Sequence, residues 1–187
     1  MKRIAVFASG EGTNAENLVK YFRRDGGRAR VALIVTNRQS APVVERARRL
    51  GVECVTISRD DFAAGQTIVD LLAAKDIDFV VLAGFLLMIP PCLIERYRGR
   101  IVNIHPALLP KFGGKGMYGM RVHEAVVAAG ERETGITIHH VNDRYDDGTI
   151  IFQAAVEVSP DDSAGDVAAK VRALEEIHFA GVIDGLV

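Results

Sequence analysis

Short apolar runs recur along this chain, each closed by glycine or a polar cluster and each followed by a stretch of helical periodicity. A continuous apolar run, as opposed to an alternating one, belongs to a strand buried on both faces, and such a strand needs helices on either side of its sheet. Ile4 to Ala8 is the first run and stops at Ser9-Gly10. Asn14 to Phe22 then sets Leu18, Val19 and Phe22 on one helical face, and the pair Gly26-Gly27 ends that helix. Val31 to Val35 is a second strand. Pro42 opens a helix to Arg49, closed by Gly51, and Val52 to Ile57 is a third strand. Asp60 or Asp61 is placed to cap a helix carrying Ile68, Leu71 and Leu72. Phe79 to Ala83 and Ile101 to Ile104 are further buried strands, with a short segment at Pro90-Pro91 between them. A helix from Met120 to Ala129, strands at Thr134 to Val141 and Ile150 to Val158, and a last helix from Ser163 to Ile183 complete the chain. This alternation predicts an α/β fold, a doubly wound, mostly parallel sheet flanked by helices. No linker or repeat interrupts it, so residues 1–187 are expected to form one domain, with halves of about 1–100 and 101–187.

The 187 residues are 49% apolar and 25% charged, which excludes a disordered or collagen-like chain. Cys54 and Cys92 form no CxxC pattern, so neither a disulfide framework nor a cysteine metal site is expected. Lys plus Arg (23) balance Asp plus Glu (24), giving no support for a nucleic-acid binder or a polybasic membrane protein. The first apolar run is too short for a signal-peptide core, and the stretch from Phe79 to Pro91 is too short for a span. A cytoplasmic location is therefore expected.

Ligands of doubly wound sheets bind beyond the carboxyl ends of the strands. Three polar clusters fall at such ends: Ser9 to Asn14, Asn103 to Pro106, and Asp143 to Gly148. Gly10-Glu-Gly-Thr-Asn-Ala15 follows a strand and opens a helix, where unpaired N–H groups favour an anion. It satisfies G-x-G-x-x-A, but the second strand ends in Thr36-Asn37-Arg38 and lacks the acid that grips an NAD ribose. Arg38 leaves an NADP-like reading open, while Thr13 and Asn14 suit a terminal phosphate monoester. A plain strand-to-helix turn capped by Asn14 is the structural alternative.

Asn103 and His105 are two apart on a strand and so project from the same face, an amide donor beside an imidazole. Asp143, Asp146 and Asp147 lack the spacing of an oxygen-ligand metal loop, and no metal is expected. A carboxylate beside His105 would raise its pKa. His139 and His140 face opposite sides of their strand, so at most one enters a shared site. His123 and His178 lie on helices and read as ordinary surface or packing residues. Gly113 to Gly119, with Lys111 and Lys115 in and beside it, has the composition of a lid and not the order of a P-loop.

Together, Ser9-Gly-Glu-Gly-Thr-Asn14, Ala83-Gly-Phe85, Asn103-Ile-His-Pro-Ala-Leu-Leu-Pro-Lys111 and Asp146 with Gly148 resemble the folate-dependent formyltransferases. The Gly-x-Gly-Thr-Asn loop resembles most narrowly the glycinamide ribonucleotide (GAR) transformylases of purine biosynthesis. The resemblance runs from about Ile4 to Ile183 and implies the formyltransferase variant of the Rossmann fold. It implies transfer of a formyl group from 10-formyltetrahydrofolate, as co-substrate, to the primary amine of GAR, with no tightly bound cofactor. It further implies Asn103, His105 and Asp146 as the catalytic trio, and Gly10, Gly12, Thr13, Asn14 and Glu175 as contacts to GAR and its phosphate. Leu86, Leu87, Met88, Ile89 and Val141 match folate contacts, and His139 and Lys111 stand near the site. The implied partners are small molecules, not nucleic acid or membrane, with the chain a monomer or a homodimer.

Four departures accompany the resemblance. The family's Asp-Gly-Gly turn reads Asp146-Asp147-Gly148, the Gly113 to Gly119 loop is longer, and the C-terminal end is short. A basic residue expected in the helix after the third strand has no match between Phe62 and Ala74. Other members of the same group differ in organisation: formyltetrahydrofolate hydrolases add an N-terminal regulatory domain, and methionyl-tRNA formyltransferases add a C-terminal tRNA-binding domain. An NADP-binding protein on the same fold is the reading outside the group.

Overall fold

The computed structural model of the chain describes residues 1–24 and 27–187. It contains β1 (Lys2–Phe7), α1 (Thr13–Phe22), β2 (Ala29–Thr36), α2 (Pro42–Leu50), β3 (Cys54–Thr56), α3 (Arg59–Ala64) and α4 (Gln66–Ala74). These are followed by β4 (Phe79–Leu82), α5 (Pro91–Arg96), β5 (Ile101–His105), α6 (Met120–Ala128), β6 (Glu133–His140), β7 (Ile150–Glu157) and α7 (Ala164–Asp184). One sheet has the order β3-β2-β1-β4-β5-β6-β7. Its first five strands are parallel; β6 runs antiparallel to β5, and β7, at the edge, antiparallel to β6.

β1 is covered on both faces, as its uninterrupted apolar run requires. Ile4, Val6 and Ala8 join a core with Leu18 of α1, Val43 of α2, Val126 of α6 and Phe179 of α7. Ala5 and Phe7 join a second core with Phe62 of α3, Ile68 of α4 and Leu93 of α5. The rings of Phe7, Phe62 and Phe85 meet edge to face with centroids 5.0–6.1 Å apart. These contacts fix α3 and the segment after β4 against the end of β1.

The chain leaves β1 toward β2 on one side and returns to β4 on the other, so the strand order reverses between β1 and β4. Phe7 pairs with Leu82, and Leu82 with Asn103, so the three strand ends lie at one level. Ser9 joins the loops that leave them. Its N–H donates to the Gly84 carbonyl, its hydroxyl donates to Asn37 Oδ1, and the same hydroxyl accepts the Leu86 N–H at 3.0 Å.

Three local expectations change. The single helix expected from Asp60 is two helices, because Gly65 between them adopts φ +82; a Cβ at that position would also collide with Cys92 Sγ. The cap of the first is Ser58, whose hydroxyl accepts the Asp61 N–H at 3.1 Å, and not Asp60 or Asp61. The third strand is only Cys54–Thr56, as suits a sheet edge. Gly26, half of the pair expected to end α1, lies outside the described residues; α1 ends at Phe22 with Arg23 closing its last turn. Among the described residues no helix is long and apolar enough to cross a membrane.

Candidate active site

A cavity of about 1040 Å³ opens over the ends of β1, β4 and β5. Its walls include Gly10, Gly12, Thr13, Asn14 and Glu175 on one side and Leu86, Leu87, Met88, Ile89 and Val141 on another. Asn103, His105, His139 and Asp146 line the region between. Lys111 does not join them. Its ammonium is 2.8 Å from Glu131 Oε1, on an exposed side chain outside the cavity wall.

Asn103 and His139 face each other as a cross-strand pair of β5 and β6. His139 Nδ1–H donates to the His140 carbonyl at 2.9 Å, since a carbonyl only accepts. That leaves Nε2 facing the Asn103 amide at 3.1 Å and Asp146 Oδ1 at 3.7 Å. His105 uses Nε2–H to donate to the Phe112 carbonyl at 2.8 Å, and its Nδ1 is 3.5 Å from Asp146 Oδ2. Asp146 Oδ2 also accepts the Gly114 N–H at 2.9 Å, and Oδ1 is 3.4 Å from Asn103 Nδ2.

The connection carrying Asp146 leaves β6 beside the start of β5, with His140 paired to Val102. It therefore reaches His105 by a tight turn, in which Asp146 takes φ +53. Aspartate tolerates that left-handed conformation better than most residues.

The electrostatics correct one expectation. Burial holds the His105 pKa below the ordinary imidazole value, and Asp146 and the Phe112 carbonyl offset it only in part. The carboxylate does not raise the net value, because His105 is 97% enclosed and its neighbour His139 adds to the lowering. Burial also opposes the charge on Asp146, but His139, His105 and the Gly114 N–H outweigh it and hold the pKa below the usual range. The resting pair is thus a neutral imidazole beside an ionised carboxylate.

At the other end, Gly12 and not Asn14 caps α1, at φ +72 and with no side-chain cap bond. Its first N–H groups remain open to an anion. Asn14 reaches across to α7 and donates to Glu175 Oε2 at 2.9 Å. Burial raises the Glu175 pKa, against the opposing effect of Asn14 and Arg172.

Several cavity residues escaped the sequence reading, Arg59, Arg172 and His123 among them. Arg59 stands at the first position of α3, just before the interval from Phe62 to Ala74 in which the resemblance implies a basic residue. Arg172 enters from α7. His123 is 6% exposed, packed in the cavity wall, with no partner for Nδ1 among the described residues. Only an assignment of helix faces relative to the sheet would have found them. His178 does pack, tilted against Phe152 with centroids 5.0 Å apart. Among the described residues no cluster of His, Cys, Asp or Glu could hold a metal ion.

The sequence profile of the formyl transferase family matches residues 2–183. The chain belongs to that family. It is 41% identical over 190 residues to the chloroplastic phosphoribosylglycinamide formyltransferase of Arabidopsis thaliana, covering 99% of this chain and 65% of that protein. The cowpea (Vigna unguiculata) counterpart is covered to 61%, so the chain spans less than two thirds of these plant relatives. The phosphoribosylglycinamide formyltransferase of Bacillus subtilis is 33% identical over 100% of this chain and 95% of its own length. The crystal structure of glycinamide ribonucleotide transformylase 1 from Geobacillus kaustophilus superposes with a TM-score of 0.90 at 37% identity, covering 100% and 98% of the two chains.

The structure explains one departure from the family turn. Asp147 needs no glycine, for its side chain is exposed and its φ is not positive. Gly148 does need one, since a Cβ there would strike the His140 carbonyl. Gly148→Ala is expected to destabilise the fold by about 1–3 kcal/mol, read as a fall in Tm of at least about 2 °C in a chain of this size. An unchanged Tm would show that the turn beneath Asp146 is not rigid.

Proposed function

We propose that this formyl transferase moves a formyl group from 10-formyltetrahydrofolate to the amine of GAR, giving formyl-GAR and tetrahydrofolate in purine biosynthesis. The observation that carries the reading is one cavity holding both an open helix N-terminus and the Asn103–His105–Asp146 set. The glycine turn with Thr13 takes the phosphate, Glu175 lies beside it, and Leu86 to Ile89 with Val141 form the folate side. Residues 1–187 work as one unit on two small molecules. A cytoplasmic location, and a monomer or homodimer without nucleic-acid or membrane partners, belong to the same reading.

The chemistry needs one bond formed, one broken and one proton moved. The GAR nitrogen attacks the formyl carbon, and the bond from that carbon to folate N10 later breaks. The carbonyl oxygen becomes an oxyanion in between, and a donor already aimed at such an oxygen contributes about 3–4 kcal/mol. Asn103 Nδ2 is that donor, with a proton only loosely held toward Asp146 at 3.4 Å. Neutral His105 takes the proton from the attacking nitrogen at Nδ1, because Nε2 already carries one. The proton then lies within 3.5 Å of Asp146, which stabilises the imidazolium until N10 receives the proton. The phosphate anchor supplies the orientation that makes attack effectively intramolecular.

Purified protein with both substrates is expected to form tetrahydrofolate and formyl-GAR in equal amounts, with no metal or nicotinamide added. Tetrahydrofolate formed equally fast without GAR would identify a hydrolase, and a spectral change with NADPH alone would favour the nucleotide-binding reading. Asp146→Asn is expected to lower kcat by about 10²-fold, with KM for either substrate changed far less. A folded Asp146→Asn enzyme keeping half the parental kcat would remove Asp146 from the mechanism.

A further inference from the structure

Three consecutive carbonyls of the glycine turn are held, two by α2 and the third by the first turn of α1. Gly10 O accepts the Val43 N–H at 3.1 Å, Glu11 O accepts Arg46 Nε–H at 2.8 Å, and Gly12 O accepts the Glu16 N–H at 3.0 Å. In a trans peptide the carbonyl and the following N–H point in opposite directions. Fixing these three oxygens therefore turns the N–H groups of Glu11, Gly12 and Thr13 the other way. Among the described residues none of those three N–H groups donates to a protein acceptor.

α2 provides two of the three bonds, and it also packs beneath the turn. A Cβ on Gly12 would collide with the Val43 side chain, so the glycine is required by contact with α2 as well as by its φ of +72. Arg46 is the one side chain among the three donors. Its guanidinium does a second thing, pairing with Glu16 in the first turn of α1. Lys20 at 2.7 Å and Arg49 at 2.9 Å reach the same carboxylate. Lys20 and Arg46 together bring the Glu16 pKa down to about 2, so Glu16 is ionised at any working pH but surrounded by cations.

We propose that Arg46 is a positioning residue for the phosphate of the substrate. It does not line the cavity. It grips the Glu11 carbonyl and so aims the Gly12 N–H, whose peptide plane it shares, at a phosphate monoester. This rests on the reading that the glycine turn takes the GAR phosphate. The alternatives are that Arg46 serves only as counter-charge to Glu16, or only supports the local fold.

The test uses the full chain with Arg46→Met, Arg46→Lys and the double variant Glu16→Gln/Arg46→Met. Turnover is measured with GAR and with the same nucleoside lacking its phosphate, and ribose 5-phosphate binding is followed by phosphorus NMR. Arg46→Met is expected to raise KM for GAR about tenfold, the loss of one charge-assisted bond. Saturated kcat, KM for the folate and turnover of the dephosphorylated analogue should stay within about twofold, a split that a general loss of structure would not give. Lysine keeps the charge but not the fixed Nε–H, so Arg46→Lys should also remain impaired for GAR. The double variant should bind as weakly as Arg46→Met. Recovery in the double variant, or an unchanged preference for the phosphorylated substrate, overturns the proposal. Should Arg46→Met fail to fold, Arg46→Lys carries the same comparisons. A parent inactive with GAR would refute the transfer reading, while ribose 5-phosphate would still decide this one. Equal binding by parent and variant, or none by the parent, overturns it.

Discussion

A buried carboxylate needs partners, and Asp146 draws its own from three separate segments. Asn103 and His105 come from β5, His139 from β6, and the Gly114 N–H from the loop before α6. An ionised group so enclosed is stable only while these groups stay in place. The requirement explains the left-handed turn at Asp146, the glycine at position 148 and the closeness of residues 112–114 to β5. One charge thus fixes the relative positions of an amide, two imidazoles and a glycine-rich loop.

The sheet brings this cluster to the anion-binding turn. β1 and β5 lie on either side of β4, and their ends are level, so one cavity serves both. Ser9 ties the loops after β1, β2 and β4 together through a single hydroxyl and its own N–H. α2 then sets the turn from behind through Val43 and Arg46. The binding half and the reacting half are positioned by different elements, which is why their variants are expected to separate effects on KM from effects on kcat.

Most of this fold is legible in the chain because buried parallel strands announce themselves as unbroken apolar runs. The pairing of Asn103 with His105 follows from strand alternation alone. The direction of β6 and β7 is not written locally, because α6 between β5 and β6 looks like any crossover helix. The break at Gly65 rests on a left-handed φ of +82 that an isolated glycine in a helical pattern does not announce. Asn14 and Glu175 are 161 residues apart, and the resemblance named both as GAR contacts without showing that they bond to each other. Arg172 and Arg59 are ordinary helix residues until the helices are placed around the cavity. The sign of the His105 shift was missed for a physical reason: a sequence displays the neighbouring charge but not the depth of burial that outweighs it.

That sign is the central claim, for the mechanism needs His105 neutral and Asp146 ionised before reaction. Nitrogen NMR of the labelled protein, titrated through the neutral range in the parent and in Asp146→Asn, reads it directly. His105 is expected as the Nε2–H tautomer titrating below about 6.5, the ordinary imidazole value, and lower still in Asp146→Asn, where the favourable charge is lost. A His105 that is already imidazolium at neutral pH, or one whose pKa is unmoved by Asp146→Asn, would contradict the account.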